Sequence, residues 1–414
     1  MRLLLIHLLL LGLLASAAEL PPVVFVHGNG DDATKWVPTV WLFESNGYPK
    51  DRLFAIRLTD PVARREDSKP EAFRSSTTDQ ASELAAFVAR VLLETKAKKV
   101  ALVGSSRGGL TIRNYLRNAG GWAVTSHAVL CGTPNHGVIS VDGMPDMEFN
   151  AKGNFLRALN QGSETVEGIR FLTIRSDKQD KFAQPNVGYD APALQGAEDV
   201  VLPGLDHREV AFHPKAFSVI YRFLTNTAPA RLQPVAESAP VISGFITAFA
   251  NGAPTNRPAA GIPLQIFALR PGSSERDGVP LLDSTTTTAG AWGPLPVAPN
   301  RGYEFVLTAP EGRTITYFIT GIHRSTTLLN LRLVPPAPAP GLQIHRPQGY
   351  FSKGRDAVKI NGLELESIPP GIPTRDSLSI QPNGPVTVEL REELLFARPA
   401  LRPGDTSIAT FLWE

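Results

Sequence analysis

The chain has 414 residues, too many for one ordinary core, and reads as two or three domains. Apolar residues at 43% and charged residues at 19% exclude global disorder, and a formal net charge of +2 without long like-charged runs gives no electrostatic reason to expect nucleic acid or an anionic membrane as partner. The single cysteine, Cys131, excludes an intramolecular disulfide, so stability must come from core size.

In chain order, Met1-Arg2 is a short positive start, Leu3 to Leu14 is almost wholly apolar, and Ala15-Ser16-Ala17-Ala18 supplies small residues for cleavage. This is the pattern of a secretion signal over 1–18. An N-terminal membrane anchor is the alternative, but the run falls short of the about 20 residues a span needs. Val23 to Val26 is a buried-strand run ended by His27-Gly28-Asn29-Gly30, and Leu53 to Ile56 is a second. Leu84, Val88, Val91 and Leu92 recur at helical spacing behind a Ser/Thr cluster able to cap the helix. Val100 to Val103 is the next strand, broken at Gly104, and a helix follows from about Gly109 to Asn118, stopped by Gly120-Gly121. Further strands are expected at Ala128 to Cys131, Phe171 to Ile174 and Val200 to Leu202, with a closing helix at Ala216 to Leu224. Strands alternating with helices predict an α/β domain over 19–228, its mainly parallel sheet covered on both faces and its chemistry at the carboxyl ends of the strands. Cys131, inside an apolar run, reads as a small buried hydrophobe.

After Asn226 the texture changes. Thr227 to Pro240 is an Ala/Pro-rich linker. Short alternating runs such as Ile262 to Phe267 and Tyr303 to Leu307 predict an all-β sandwich or small barrel, taken as a sandwich module over 240–334. The Pro-rich break from Val334 to Gly341 separates it from a second β-rich module over 341–414.

The chemistry concentrates in Gly104-Ser105-Ser106-Arg107-Gly108, a G-x-S-x-G pattern with a strand before it and a helix after it. Small residues at both ends permit a sharp turn that presents the Ser106 hydroxyl; Ser105, in the x position, should point elsewhere. A serine needs a base. His207, in a loop just past a strand end, is preferred to His213, which precedes Pro214 at a helix start. His127 starts a strand, and His323 and His345 lie beyond the linker. The acid should lie between serine and histidine in sequence, and Asp180 is preferred to Asp177, which could organise the same turn. Asp206 adjoins His207 and reads as a surface or loop-capping carboxylate. Oxyanion donors are expected from the backbone N–H groups of Arg107 and Asn29, each contributing about 3 kcal/mol to the transition state. His27 then shapes its loop. No metal and no cofactor is expected.

These residues resemble the secreted α/β-hydrolase lipases and esterases, especially small bacterial ones without a large cap. The resemblance rests on Val23 to Gly30, the Gly104 to Gly108 turn, Gly132-Thr133-Pro134-Asn135-His136-Gly137, Asp180, and Gly204 to His207. It implies acyl transfer to water through an acyl-enzyme at Ser106, with an ester or lipid as partner and His136 a structural loop residue. Arg107 departs from the Met or Gln often found after the nucleophile; its side chain could pair with a nearby acid while leaving the backbone donor intact. The segment from Ile139 to Gly168 is an insertion whose Phe149, Phe155 and Leu156 either line an acyl pocket or pack a surface helix. Val241 to Leu307 is similar to transthyretin-like or carboxypeptidase-regulatory β-sandwiches, which suggests surface attachment or a buttress. Acylglycerol hydrolysis, polyester depolymerisation and a catalytically dead binding scaffold are the competing functions.

Overall fold

The computed structural model describes residues 20–183 and 186–413; the secretion signal read at 1–18 lies outside them. Among the described residues no helix is long and apolar enough to cross a membrane.

The N-terminal part is built on strands β1 (Val23–Val26), β2 (Leu53–Ala55), β3 (Val100–Ser105), β4 (Thr125–Cys131), β5 (Arg170–Arg175) and β6 (Glu198–Val201). They form one sheet in the order β2-β1-β3-β4-β5-β6, every neighbouring pair parallel. The strand alternation divides the core. Val23, Phe25, Ala101, Val103, Val129 and Cys131 face helices α1 (Val37–Ser45) and, near the end of the domain, Pro214–Thr225. Val24, Val26, Leu102, Ala128 and Leu130 face α2 (Thr77–Thr95) and α3 (Arg107–Asn118). Helix α2 starts where its sequence directs: Ser76 caps the Asp79 N–H, Asp79 reaches back to the Ser76 N–H, and Ala81, Leu84, Val88 and Val91 form the buried stripe.

Several boundaries move. β3 runs through Gly104 to Ser105, because the chain turns only at Ser106. β4 begins at Thr125, so His127 lies inside the strand, its ring edge-on to Phe223. In the insertion, Leu156 and Leu159 of α4 (Asn154–Leu159) bury against Leu110, with Phe149 and Phe155 packed on them; these side chains make a local core. The domain closes with α5 (Glu209–Phe212) and α6 (Pro214–Thr225), the latter capped by His213, which accepts from the Lys215 N–H.

The C-terminal region contributes β7 (Val241–Ala250), β8 (Ala253–Pro258), β9 (Pro263–Ala268), β10 (Leu282–Thr285), β11 (Ala291–Pro296), β12 (Tyr303–Thr308), β13 (Thr314–Thr320) and β14 (Leu331–Arg332). After the Pro-rich break come β15 (Leu342–His345), β16 (Val358–Ile360), β17 (Leu363–Glu364), β18 (Ser377–Ile380), β19 (Val386–Leu390), β20 (Glu393–Ala397) and β21 (Thr406–Phe411). The break does not separate the sheets. One seven-stranded sheet runs β10-β9-β12-β13-β21-β15-β18, with β21 inserted parallel to both β13 and β15. Its two faces bury different cores. Ile315, Tyr317, Ile319 and Ile408 pack toward the β7 sheet, together with Val37 and Trp41 of α1. Phe318, Ala409 and Phe411 pack toward the β16–β20 sheet. The β region is therefore two sandwiches sharing one sheet.

The sandwich built on the β7 sheet docks on the α/β domain. Asn256 of β8 is buried and donates to the carbonyls of Asp31 and Leu58, and Arg332 of β14 donates to the Gly30 carbonyl.

Candidate active site

The sheet order reverses between β1 and β3, where their carboxyl ends open a crevice. The loop after β1 carries His27 to Gly30, and the turn after β3 carries Ser106. Ser106 has φ 53° and ψ −123°, a region strained for a residue with a Cβ. The glycines allow it: a Cβ on Gly108 would lie 2.4 Å from the Val26 carbonyl oxygen, and one on Gly104 would lie 2.7 Å from the Gly109 nitrogen. Ser105 is buried, whereas Ser106 retains partial exposure.

The structure brings the three sequence-chosen residues together. The Ser106 hydroxyl oxygen is 2.9 Å from His207 Nε2, and an Asp180 carboxylate oxygen is 2.9 Å from His207 Nδ1. Asp180 also accepts from the Phe182 N–H, and the Phe182 ring stands edge-on to the imidazole at 4.5 Å. His207 and Asp180 are buried, so little water competes for these bonds. Asp177 does not touch His207; it accepts from the N–H groups of Gln179 and Gly204 and ties the β5 turn to the β6 turn.

The oxyanion candidates lie on either side. A Cβ on Gly28 would stand 3.2 Å from the Ser106 Cβ, which places the β1 loop against the serine. The Asn29 N–H makes no hydrogen bond among the described residues, while its side-chain oxygen accepts from the Ala63 N–H. The Arg107 N–H opens helix α3 and has no partner within it. His27 holds the loop instead: the Leu58 N–H donates to its Nε2, and burial lowers its pKa, favouring the neutral ring.

Three features needed the structure. The Arg107 side chain, 1% exposed, makes a bidentate pair with Glu148 (Nε–Oε1 2.8 Å, Nη2–Oε2 2.7 Å) and donates to the Pro61 and Ser75 carbonyls. Burial pushes the Glu148 carboxyl up, and Arg107 pulls against it. Pro61 also accepts from the Gly30 N–H, so one short segment holds both candidate oxyanion donors. Secondly, Asp206 is not a surface carboxylate. It accepts from the Arg208 and Glu209 N–H groups, as a loop cap does, yet it is 0% exposed because the C-terminal sandwich covers it. Thirdly, His136 bridges the Ala191 carbonyl and Glu164, bracing the loops after β4 and β5. The Cys131 thiol has its pKa raised by burial. No group of three or more His, Cys, Asp or Glu among the described residues is placed to hold a metal ion.

A doubly covered parallel sheet with Ser, His and Asp side chains in contact at its carboxyl edge defines an α/β-hydrolase. Residues 21–217 match the family described as Lipase (class 2), and residues 241–336 match the Lipase C-terminal domain. The chain thus combines a lipase-type α/β-hydrolase fold with a C-terminal β region similar to those of lipases. Among solved structures, lipase B of Aspergillus fumigatus is similar at 17% identity over 51% of this chain and 54% of its own, TM-score 0.40. The chain thus spans about half the length of that lipase. The mature form of Bacillus licheniformis lipase BlEst2 is similar at 18% identity over 50% of this chain and 92% of its own, TM-score 0.38. The propeptide form of that lipase is similar at 15% identity over 92% of each chain, TM-score 0.38.

Proposed function

We propose that this chain is a secreted serine hydrolase that cleaves carboxylic esters of lipid type, acylglycerols in particular, through an acyl-enzyme at Ser106. The observation that carries the reading is the continuous contact from Ser106 Oγ through His207 to Asp180. In the proposed cycle His207 Nε2 takes the Ser106 proton as Oγ attacks the ester carbonyl. The Asn29 and Arg107 N–H groups face the developing oxyanion, and Asp180 holds the imidazole tautomer and stabilises the imidazolium. His207 then protonates the leaving alkoxide. In the second half a water gives its proton to His207, attacks the acyl-enzyme, and releases the acid as the proton returns to Ser106.

An apolar substrate is favoured by the exposed Phe182 ring, which stands against His207. Secretion is proposed from the signal-like segment at 1–18. The test is hydrolysis of chromogenic esters from C2 to C16, and of emulsified triacylglycerol, by the wild type and Ser106→Ala. The reading expects wild-type turnover on medium or long chains and on the emulsion, and loss of at least about a thousandfold in the variant. Equal rates for the two proteins overturn it. Clearing of polyester emulsions without triacylglycerol hydrolysis would replace acylglycerol by polyester as the substrate.

A further inference from the structure

His207 stands between two residues that are both anchored outside the α/β domain. Asp206, before it, accepts from the Tyr350 N–H at 2.7 Å and from Arg355 at 2.8 Å. Arg208, after it, pairs with Asp376 at 2.7 Å, lies over the Tyr350 ring and also meets Asp31 of the β1 loop. The next residue, Glu209, opens α5 and receives three guanidinium groups: Arg346 at 2.6 Å, Arg355 at 2.6 Å and Arg391 at 2.9 Å. Arg346 is itself buried, within 3.3 Å of Asp356, and donates to the Tyr350 carbonyl at 2.7 Å. All of these partners except Asp31 lie beyond residue 345, in the last sandwich.

The cluster holds carboxylates from both sides of the junction, Asp206 and Glu209 facing Asp356, with the arginines between them. Such an arrangement is costly to desolvate and contributes little net stability over an apolar junction, but removing one member leaves a buried charge uncompensated, so its members are held as a set. Planar guanidinium forks fix direction as well as distance. The backbone they fix is the one carrying the imidazole, whose Nε2 must stay within hydrogen-bond reach of Ser106.

We infer that the last β sandwich is a positioning element of the active site, and that Arg346, acting through Glu209 and the Tyr350 segment, is a positioning residue for His207. The sandwich thereby acts on the chemical step itself, whatever it contributes at an insoluble surface. The inference rests on the Ser106–His207 reading proposed above.

The experiment titrates full-length wild type, Arg346→Gln and Arg346→Lys with a fluorophosphonate, then measures kcat per titrated site and KM on a soluble C4 ester. Failure of the fluorophosphonate to label the wild type would refute the Ser106 reading itself. With labelling intact, Arg346→Gln is expected to lose ten- to a hundredfold in kcat per titrated site with KM within twofold, and Arg346→Lys, which keeps the charge but not the fork, to recover part of it. A merely structural arginine would lower the titrated fraction and leave kcat per site unchanged; that result overturns the inference. If Arg346→Gln gives no soluble protein, the more exposed Asp376→Asn is measured the same way, with at least threefold loss in kcat per site expected and an unchanged value overturning the inference.

Discussion

The Arg107–Glu148 pair gives a prediction whose size follows from its geometry. The two side chains are 1% and 2% exposed, and Glu148→Gln keeps the shape while removing the charge opposite a buried guanidinium. Arg107 would keep the neutral oxygens of Pro61 and Ser75 but no carboxylate. Removing one partner of a buried ion pair costs about 3–5 kcal/mol. For a domain of roughly 200 residues that lowers Tm by about 6–20 °C, readable by calorimetry. The same change loosens the turn that aims the Arg107 N–H and the Pro61 segment that braces the Asn29 loop. Losing one oxyanion donor outright costs about 10²–10³ in rate, and a donor displaced rather than lost should cost roughly tenfold or more. KM on a soluble ester should stay within about twofold, because such a donor acts in the transition state rather than on bound substrate. A variant with wild-type Tm and wild-type kcat would refute the reasoning; a lowered Tm with unchanged kcat would remove only the link to the oxyanion site.

Asp180→Asn should leave the fold intact and lower kcat by about 10⁴, since the amide favours the wrong imidazole tautomer; Asp177→Asn, which perturbs only a turn, should stay within about threefold in the same assay. His213 should make the protein acid-sensitive. Burial holds its folded pKa at about 4 against an unfolded value of 6.5, so the unfolded chain binds the extra proton first as pH falls. Stability is then full above about pH 6.5 and falls toward pH 4, by about 2 kcal/mol at pH 5. His213→Asn, which can still cap α6, should flatten that part of the Tm-against-pH curve; an identical curve would contradict the assignment.

Local signals in the sequence were decisive where the structure is local. The Val23 to Val26 run is β1 to the residue, the Ser/Thr cluster contains the α2 cap, and the turn glycines sit where backbone crowds them. Ser106, Asp180 and His207, which the structure brings into contact, are legible as candidates because each follows a recognisable strand end. The misreadings are of contacts between distant segments. Asp206 caps its loop, as the sequence allows, but its burial is not legible there, because its covering partners, Tyr350 and Arg355, lie more than 140 residues away. The Pro-rich break at 334–341 looked like a boundary, yet β21 returns past it to pair with β13, a parallel register that alternation within a strand cannot reveal. Glu148 lies in the middle of an insertion, and only the buried Arg107 side chain gives it meaning.

The central claim is tested most directly by mapping the site of covalent attachment. The wild type is treated with a long-chain p-nitrophenyl phosphonate, digested, and the modified peptide sequenced by mass spectrometry. The account expects one adduct per chain, on Ser106, abolished in His207→Ala. An adduct on Ser105, or none at a concentration that inactivates the enzyme, would contradict it.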